Sequence, residues 1–363
     1  MSKPTPLAGI MDVKPYVGGV HHLDGFEKPV ILSANETPLG PSPDAVKAYQ
    51  QAAGELHRYP DGGSDELRAA LAERFGCDAE RIVCGTGSDE LITMLIRAYA
   101  GPGDEVIHSA HGFLMYAIAA RGAGATPVAA PEANFTVDVG AMLAAVTERT
   151  KMVLIANPNN PTGSYISADE LQRLQEGLPG HVVLVIDAAY AEYVSRNDYT
   201  AGAGMVEEFD NVVMTRTFSK IFGLAAVRLG WAYCPPHIAD VLNRARNPFN
   251  VTTAAQAAGL AALGDIGHID RGREHNDIWL PWLTGELNRL GLTVHPSVGN
   301  FVMARFSDAD AATAAYDALL AGGFITRLIG GYGLPECLRI TVGLEEELRP
   351  LVACLERHLA DAS

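Results

Sequence analysis

The sequence predicts an α/β protein: a large domain built on a mostly parallel, doubly wound sheet, joined to a smaller α+β domain. Three observations lead there. From about residue 64 to 187, short apolar runs alternate with capped, amphipathic ones in a βαβα rhythm, which places helices on both faces of a mostly parallel sheet. Two of those runs, KMVLIAN (151–157) and VVLVID (182–187), are apolar on both faces, as strands covered by helices on either side must be. After about residue 250 the rhythm changes, and 363 residues suit two domains of roughly 100–200 residues each.

The elements follow in order. Ser64 is placed to cap SDELRAALAERFG, which Gly76 ends. RIVC (81–84) reads as a short strand, GTGSDE (85–90) as a turn, and LITMLIRAYA as a helix stopped by Gly101 and Pro102. DEVIH is a strand, GFLMYAIAARG a helix, TPVAA a strand and VGAMLAAV a helix. Between KMVLIAN and VVLVID lies SADELQRLQEGL, opened by a capping box of Ser167 and Glu170. Beyond residue 250 come a helical stretch from Thr252 to Trp282, the strands NFVMARF, GFITRLI and CLRITVG, and the helices DADAATAAYDALLAG and LEEELRPLVACLERHLA. This divides the chain into an N-terminal arm (1–40) that joins the small domain, a large domain (41–250) and a small C-terminal domain (251–363).

Composition narrows the class. Forty-three acidic against 27 basic residues give a formal charge of −16, which repels nucleic acid and anionic membranes. No apolar run approaches the roughly 18–20 residues of a membrane span. The opening MSKPTPLAGIMDVKPY lacks the smooth apolar core of a secretory signal. The five cysteines (Cys77, Cys84, Cys234, Cys337, Cys354) are scattered and never spaced CxxC, which fits a reducing compartment and provides no zinc framework. The expectation is a cytoplasmic protein with no metal, nucleic-acid or membrane partner.

Several strands end in residues a strand does not need. VVLVID ends in Asp187, and KMVLIA runs into NPNNPTG (157–163). Ligands of open parallel sheets bind beyond the carboxyl ends of the strands, so these residues converge on one crevice. In GTGSDE the N–H groups around Gly87, Ser88 and Asp89 open a helix whose positive end suits an anion, although neither GxGxxG nor a P-loop is present. TFSKIFGLAAVRLG (217–230) adds Ser219, Lys220 and Arg228, and an arginine fork matches phosphate oxygens. Singly, each feature has an ordinary reading: Asp187 a turn cap, NPNNPTG a rigid loop, Lys220 an exposed lysine. Together they fit a cofactor with a phosphate, an aldehyde and a ring nitrogen, namely pyridoxal 5'-phosphate. Lys220, neutralised by burial and nearby cations, would form its Schiff base, and Asp187 would keep the pyridine nitrogen protonated.

In the order LSANETPLGPSP, RYPDGGSDELRAALAERFG, GTGSDELI, HGFLMY, NPNNPTG, VVLVIDAAYAEY, RTFSKIFGLAAVRLG, GNFV and LRITVG, the chain resembles the fold-type I pyridoxal-phosphate aminotransferases, most of all the histidinol-phosphate aminotransferase family, over essentially its whole length. The resemblance implies that Lys220 holds the cofactor and later moves the substrate's Cα proton. It implies that Asn160 and Tyr190 donate to the ring hydroxylate, and that Ser219, Arg228 and the Ser88–Asp89 turn hold the phosphate. Phe113 would stack on the ring, where many relatives carry tyrosine. Tyr59 would reach the neighbouring subunit's cofactor in a homodimer with shared sites. Arg339 and Arg327 would bind the substrate's carboxylate or phosphate, with Tyr16 and Asn35 covering it. The implied reaction passes the amino group of L-histidinol phosphate to 2-oxoglutarate, giving imidazole-acetol phosphate and glutamate. Aromatic amino-acid transamination, threonine-phosphate decarboxylation and a non-catalytic regulatory role are the alternatives, and His57 and His111 find no assignment.

Overall fold

The computed structural model describes residues 4–6, 9–13, 19–20 and 22–361. Its largest sheet has seven strands: β1 (Ile82–Gly85), β2 (Glu105–Ser109), β3 (Thr126–Ala130), β4 (Thr150–Ala156), β5 (Val183–Asp187), β6 (Val212–Thr217) and β7 (Gly230–Tyr233), in the spatial order β1-β7-β6-β5-β4-β2-β3. All neighbours are parallel except β7, which runs antiparallel to both β1 and β6. The alternation along β5 explains its apolar sequence. Val183 and Val185 enter one core with Leu91, Leu95 and Tyr116, while Leu184 and Ile186 enter the opposite core with Leu171, Leu174 and Trp231. Each such aliphatic side chain removed from water contributes about 1.5–3 kcal/mol, so both faces of the sheet must stay covered.

A second sheet orders β8 (Thr293–His295), β9 (Phe301–Arg305), β11 (Leu334–Thr341) and β10 (Arg327–Ile329), all antiparallel. Its core gathers Val302, Ala304, Leu338 and Ile340 with Leu348, Leu351 and Leu355 of the helix Glu345–Asp361. Leu32 joins that core, and Val30–Ile31 pairs in parallel with Phe324–Ile325. The change of rhythm at residue 250 is not a change of core. Ala255, Ala258 and Ala262 of the helix Thr253–Gly264 pack into the large-sheet core, because this alanine-rich face lies close against the helices Pro43–Ala52 and Asp65–Phe75. The 24-residue helix Ile266–Arg289 then bridges the two, with Ile269 in the large core and Leu283 and Leu287 in the small one.

Two caps differ from expectation. Ser64 holds the N-cap position in a left-handed conformation (φ 53°) and its hydroxyl accepts nothing there; the Asp61 carboxylate instead accepts from Asp65 N and Gly63 N. Ser167 accepts from Glu170 N at 3.3 Å, but the Glu170 carboxylate turns outward to Arg173, leaving half a capping box. Strands β6 and β7 and the helices Ala203–Glu208 and Pro236–Ala245 occupy residues 188–250, where the sequence reading identified none. All five cysteines are free, and among the described residues no helix is long and apolar enough to cross a membrane.

Candidate active site

One pocket opens beyond the carboxyl ends of β4, β5 and β6, where the parallel sheet stops and the loops diverge. Its wall includes Asn35, Ser88, Asp89, Phe113, Asn160, Asp187, Tyr190, Ser219, Lys220, Arg228, Arg327 and Arg339. The structure thus brings together twelve of the residues singled out from sequence.

At one end, β1 leads through Gly87 (φ 90°) into the helix Ser88–Tyr99, whose N-terminus carries no side-chain cap. Its first N–H groups and its dipole are therefore available to an anion. Arg228 lies against this turn so closely that a Cβ on Gly87 would stand 2.6 Å from Arg228 Nη2. Its guanidinium donates to Ser219 Oγ (3.3 Å), to the Ala225 carbonyl (3.0 Å) and to Asp89 Oδ2 (3.4 Å).

The centre holds two groups whose pKa values are displaced toward neutrality. Lys220, in the loop after β6, donates from Nζ to the Ala34 carbonyl at 2.9 Å. Burial, and then the Arg339 charge, lower its pKa to about 8, with Asp89 and Glu36 opposing. Asp187, the last residue of β5, is pushed up to about 6 by burial, opposed first by the hydrogen bond from Tyr116. Tyr116 donates to Asp187 Oδ2 at 2.8 Å, and Thr215 Oγ1 lies 3.4 Å from Oδ1. Phe113 begins the helix Leu114–Gly122 and meets Tyr116 edge-on, with centroids 5.8 Å apart.

Opposite lies a wall of donors. Tyr190 is buried, which raises its phenol well above the ordinary range; its oxygen accepts from Asn35 Nδ2 at 2.9 Å, leaving its own O–H to donate elsewhere. Asn35 is held in a left-handed conformation (φ 57°) with its N–H on Thr341 Oγ1. Asn160 spends its Oδ1 on Arg339 Nη1, so its amide N–H groups are the end left to donate. Arg339 also donates to the Ser33 carbonyl and lies 5.6 Å from the Phe301 ring centroid. Arg327 is its direct cross-strand partner on β10, so the two arginines stand side by side on one sheet face. Two buried polar atoms in this wall, Ser33 Oγ and Arg339 Nε, have no hydrogen-bond partner among the described residues.

Tyr59 is not brought to the pocket of its own chain. It is 82% exposed and stacked on Phe249 at 4.6 Å. Tyr16 lies outside the described residues. His57 is exposed, and His111 bonds Glu132 through Nδ1 at 2.8 Å beside the Glu132–Val137 hairpin. Sequence reasoning missed Tyr116 and Thr215; the spacing Phe113, Tyr116, one turn apart on a helix, was the available signal. Among the described residues no group of three or more His, Cys, Asp or Glu side chains is arranged for a metal ion.

The arrangement fits a phosphorylated pyridine aldehyde. An uncapped helix end and Arg228 suit its phosphate, Asp187 its ring nitrogen, Lys220 its aldehyde, and the orphaned donors of the far wall a second anion.

Comparison with known proteins agrees. The family model "Aminotransferase class I and II" matches residues 27–355. The histidinol-phosphate aminotransferase of Paramagnetospirillum magneticum is 58% identical over 361 residues, covering 99% of each chain. That of Rhodospirillum centenum is 57% identical over 356 residues, covering 98% of each. The crystal structure of histidinol-phosphate aminotransferase from Sinorhizobium meliloti in complex with pyridoxal-5'-phosphate superposes with a TM-score of 0.87 at 30% identity, covering 92% of each chain.

Proposed function

The chain belongs to the class I and II aminotransferases, and from that membership we propose that it transfers the amino group of L-histidinol phosphate to 2-oxoglutarate, with pyridoxal 5'-phosphate as resident cofactor. When bound, the cofactor supplies an aldehyde that captures the amine and a conjugated ring that takes up the electron pair of the Cα–H bond. Lys220 Nζ is the base. With its pKa lowered to about 8, a fraction of it is neutral at neutral pH, and the neutral amine would hold the cofactor's aldehyde and accept the proton of the substrate's Cα. Asp187 would hold a proton on the ring nitrogen. Asn160 and Tyr190 would donate to the ring oxygen, Phe113 would cover a ring face, and Ser219, Arg228 and the Ser88–Asp89 turn would hold the phosphate.

The observation that carries the substrate reading is the pairing of Arg327 with Arg339 in one pocket of a net acidic chain. A phosphate monoester and a dicarboxylate must bind the same site in turn, and guanidinium forks accept either anion. Asn35 would close this end of the pocket, as would Tyr16. A test compares donors. Arg327→Ala should weaken L-histidinol phosphate about tenfold to a hundredfold while sparing L-phenylalanine, since a lost charged hydrogen bond costs about 1.5–3 kcal/mol. Equal losses for both donors would point instead to an aromatic amino-acid aminotransferase.

The same reading makes the protein a homodimer in the cytoplasm. The five free cysteines support a reducing compartment. Tyr59, Phe249 and Leu56 are exposed, as are Val46 and Tyr49 on the helix Pro43–Ala52, and aromatic residues left outside a fold mark interfaces. A partner subunit covering this face would receive Tyr59 at its own cofactor phosphate.

A further inference from the structure

We infer that Tyr116 is a positioning residue for the cofactor ring, one side chain that presents the Asp187 carboxylate to the ring nitrogen while bracing Phe113 against the ring face. The inference rests on the proposal that this pocket holds pyridoxal phosphate.

Tyr116 is fully buried on the helix Leu114–Gly122, one turn after Phe113. Its ring stands almost perpendicular to that of Phe113, at 89°, and its hydroxyl donates to Asp187 Oδ2 at 2.8 Å. The second carboxylate oxygen has the 3.4 Å approach of Thr215 Oγ1, a weak bond at that length, and the Ala189 N–H also acts on the carboxylate. Oδ2 is thus the more firmly held oxygen, and Oδ1 the one more open to an N–H.

The charge setting gives the hydroxyl a second effect. The groups that act most on Asp187 are the Asp89 carboxylate and the hydroxyls of Tyr116 and Thr215, with the Ala189 N–H; Tyr190 and Tyr199 also feel its charge, and Lys220, Arg228, Arg327 and Arg339 line the same pocket. A buried carboxylate stays ionised only as far as the charges and donors around it support the anion. Tyr116 provides the strongest of these donors. By stabilising the anion it favours the pair in which Asp187 is charged and the ring nitrogen carries the proton.

The ordinary reading is a core tyrosine with a satisfied hydroxyl, and Tyr116→Phe separates the two because it keeps the ring and removes one oxygen. The full-length chain is stripped of cofactor and titrated with pyridoxal phosphate, and with its analogue carrying C–H in place of the ring nitrogen, between about pH 5 and pH 8. We expect Tyr116→Phe to bind pyridoxal phosphate about tenfold more weakly at neutral pH, to lose affinity at a higher pH as acid is added, and to bind the analogue as the parent does. In an Asp187→Asn background the same change should be silent. Equal weakening of both ligands would reduce Tyr116 to a scaffold for Phe113 and overturn the inference; so would unchanged affinity for both. A parent protein that bound no pyridoxal phosphate would overturn the cofactor reading itself.

Discussion

Lys220 and Asp187 are both held at a cost to the fold, and the cost is measurable. The lysine's folded pKa, about 8, lies below its usual 10.5, so its charged form is disfavoured in the native state. The penalty is full below about pH 8 and disappears as pH rises through 10.5. Lys220→Met should therefore stabilise the cofactor-free protein at pH 7 by on the order of 2 kcal/mol, with the gain shrinking between those two pH values in denaturant titrations. Asp187 shows the opposite sign of pH dependence: raised from 3.8 to about 6, it penalises folding above pH 6 and not below 3.8. Asp187→Asn should stabilise the cofactor-free chain at neutral pH, lose that advantage as pH falls toward 4, and abolish transamination. These residues were legible in sequence only together: singly a terminal aspartate reads as a turn cap and a lysine as an exposed one, but with NPNNPTG, Ser219 and Arg228 they fit a single cofactor. Tyr116 was harder to read: its place one turn after Phe113 was a signal, but a tyrosine in an apolar helix reads as core until its hydroxyl is seen to reach Asp187.

At the scale of elements, strand β7 controls the anion turn by lacking side-chain bulk. A Cβ on Gly230 would lie 2.4 Å from Ser88 N, 2.6 Å from Gly87 C and 2.9 Å from the Arg216 carbonyl. All three are backbone atoms and cannot rotate aside. Gly230→Ala should destabilise the protein by about 1–3 kcal/mol and push the Gly87–Ser88 turn out of place, weakening pyridoxal phosphate binding; denaturation midpoints and cofactor titrations check the two effects separately. The buried parallel strands were readable because both their faces are apolar. Strand β6 escaped because it carries polar groups inward: Thr215 toward Asp187, and Arg216 in a buried ion pair with Glu192 that also lies over the Phe75 ring. The Glu132–Val137 hairpin escaped for another reason. Its turn uses Asn134 and Phe135 in left-handed conformations (φ 49° and 58°) with no glycine to announce it.

At the scale of the whole molecule, the pocket draws on both cores and, in our proposal, on a second copy of the chain. Mixing Lys220→Ala with Tyr59→Ala protein tests the shared site: in a hybrid dimer one pocket combines an intact lysine with an intact partner tyrosine, so activity should exceed the sum of the separate proteins. Activity equal to that sum would confine Tyr59 to its own subunit. Exposed Tyr59 could not be assigned from a single chain's packing, because the surface that would explain it is not part of that chain's core. The pairing of Val30–Ile31 with Phe324–Ile325 has a further bearing on synthesis. Ala34, whose carbonyl accepts from Lys220, lies three residues beyond that pair. A nascent chain emerging from the ribosome can lay down its parallel sheet and its lysine once the first 250 or so residues are out. The wall that tunes the amine must wait for strand partners nearly three hundred residues downstream of Val30, so translation leaves the lysine an ordinary protonated amine until residues 324–339 have emerged.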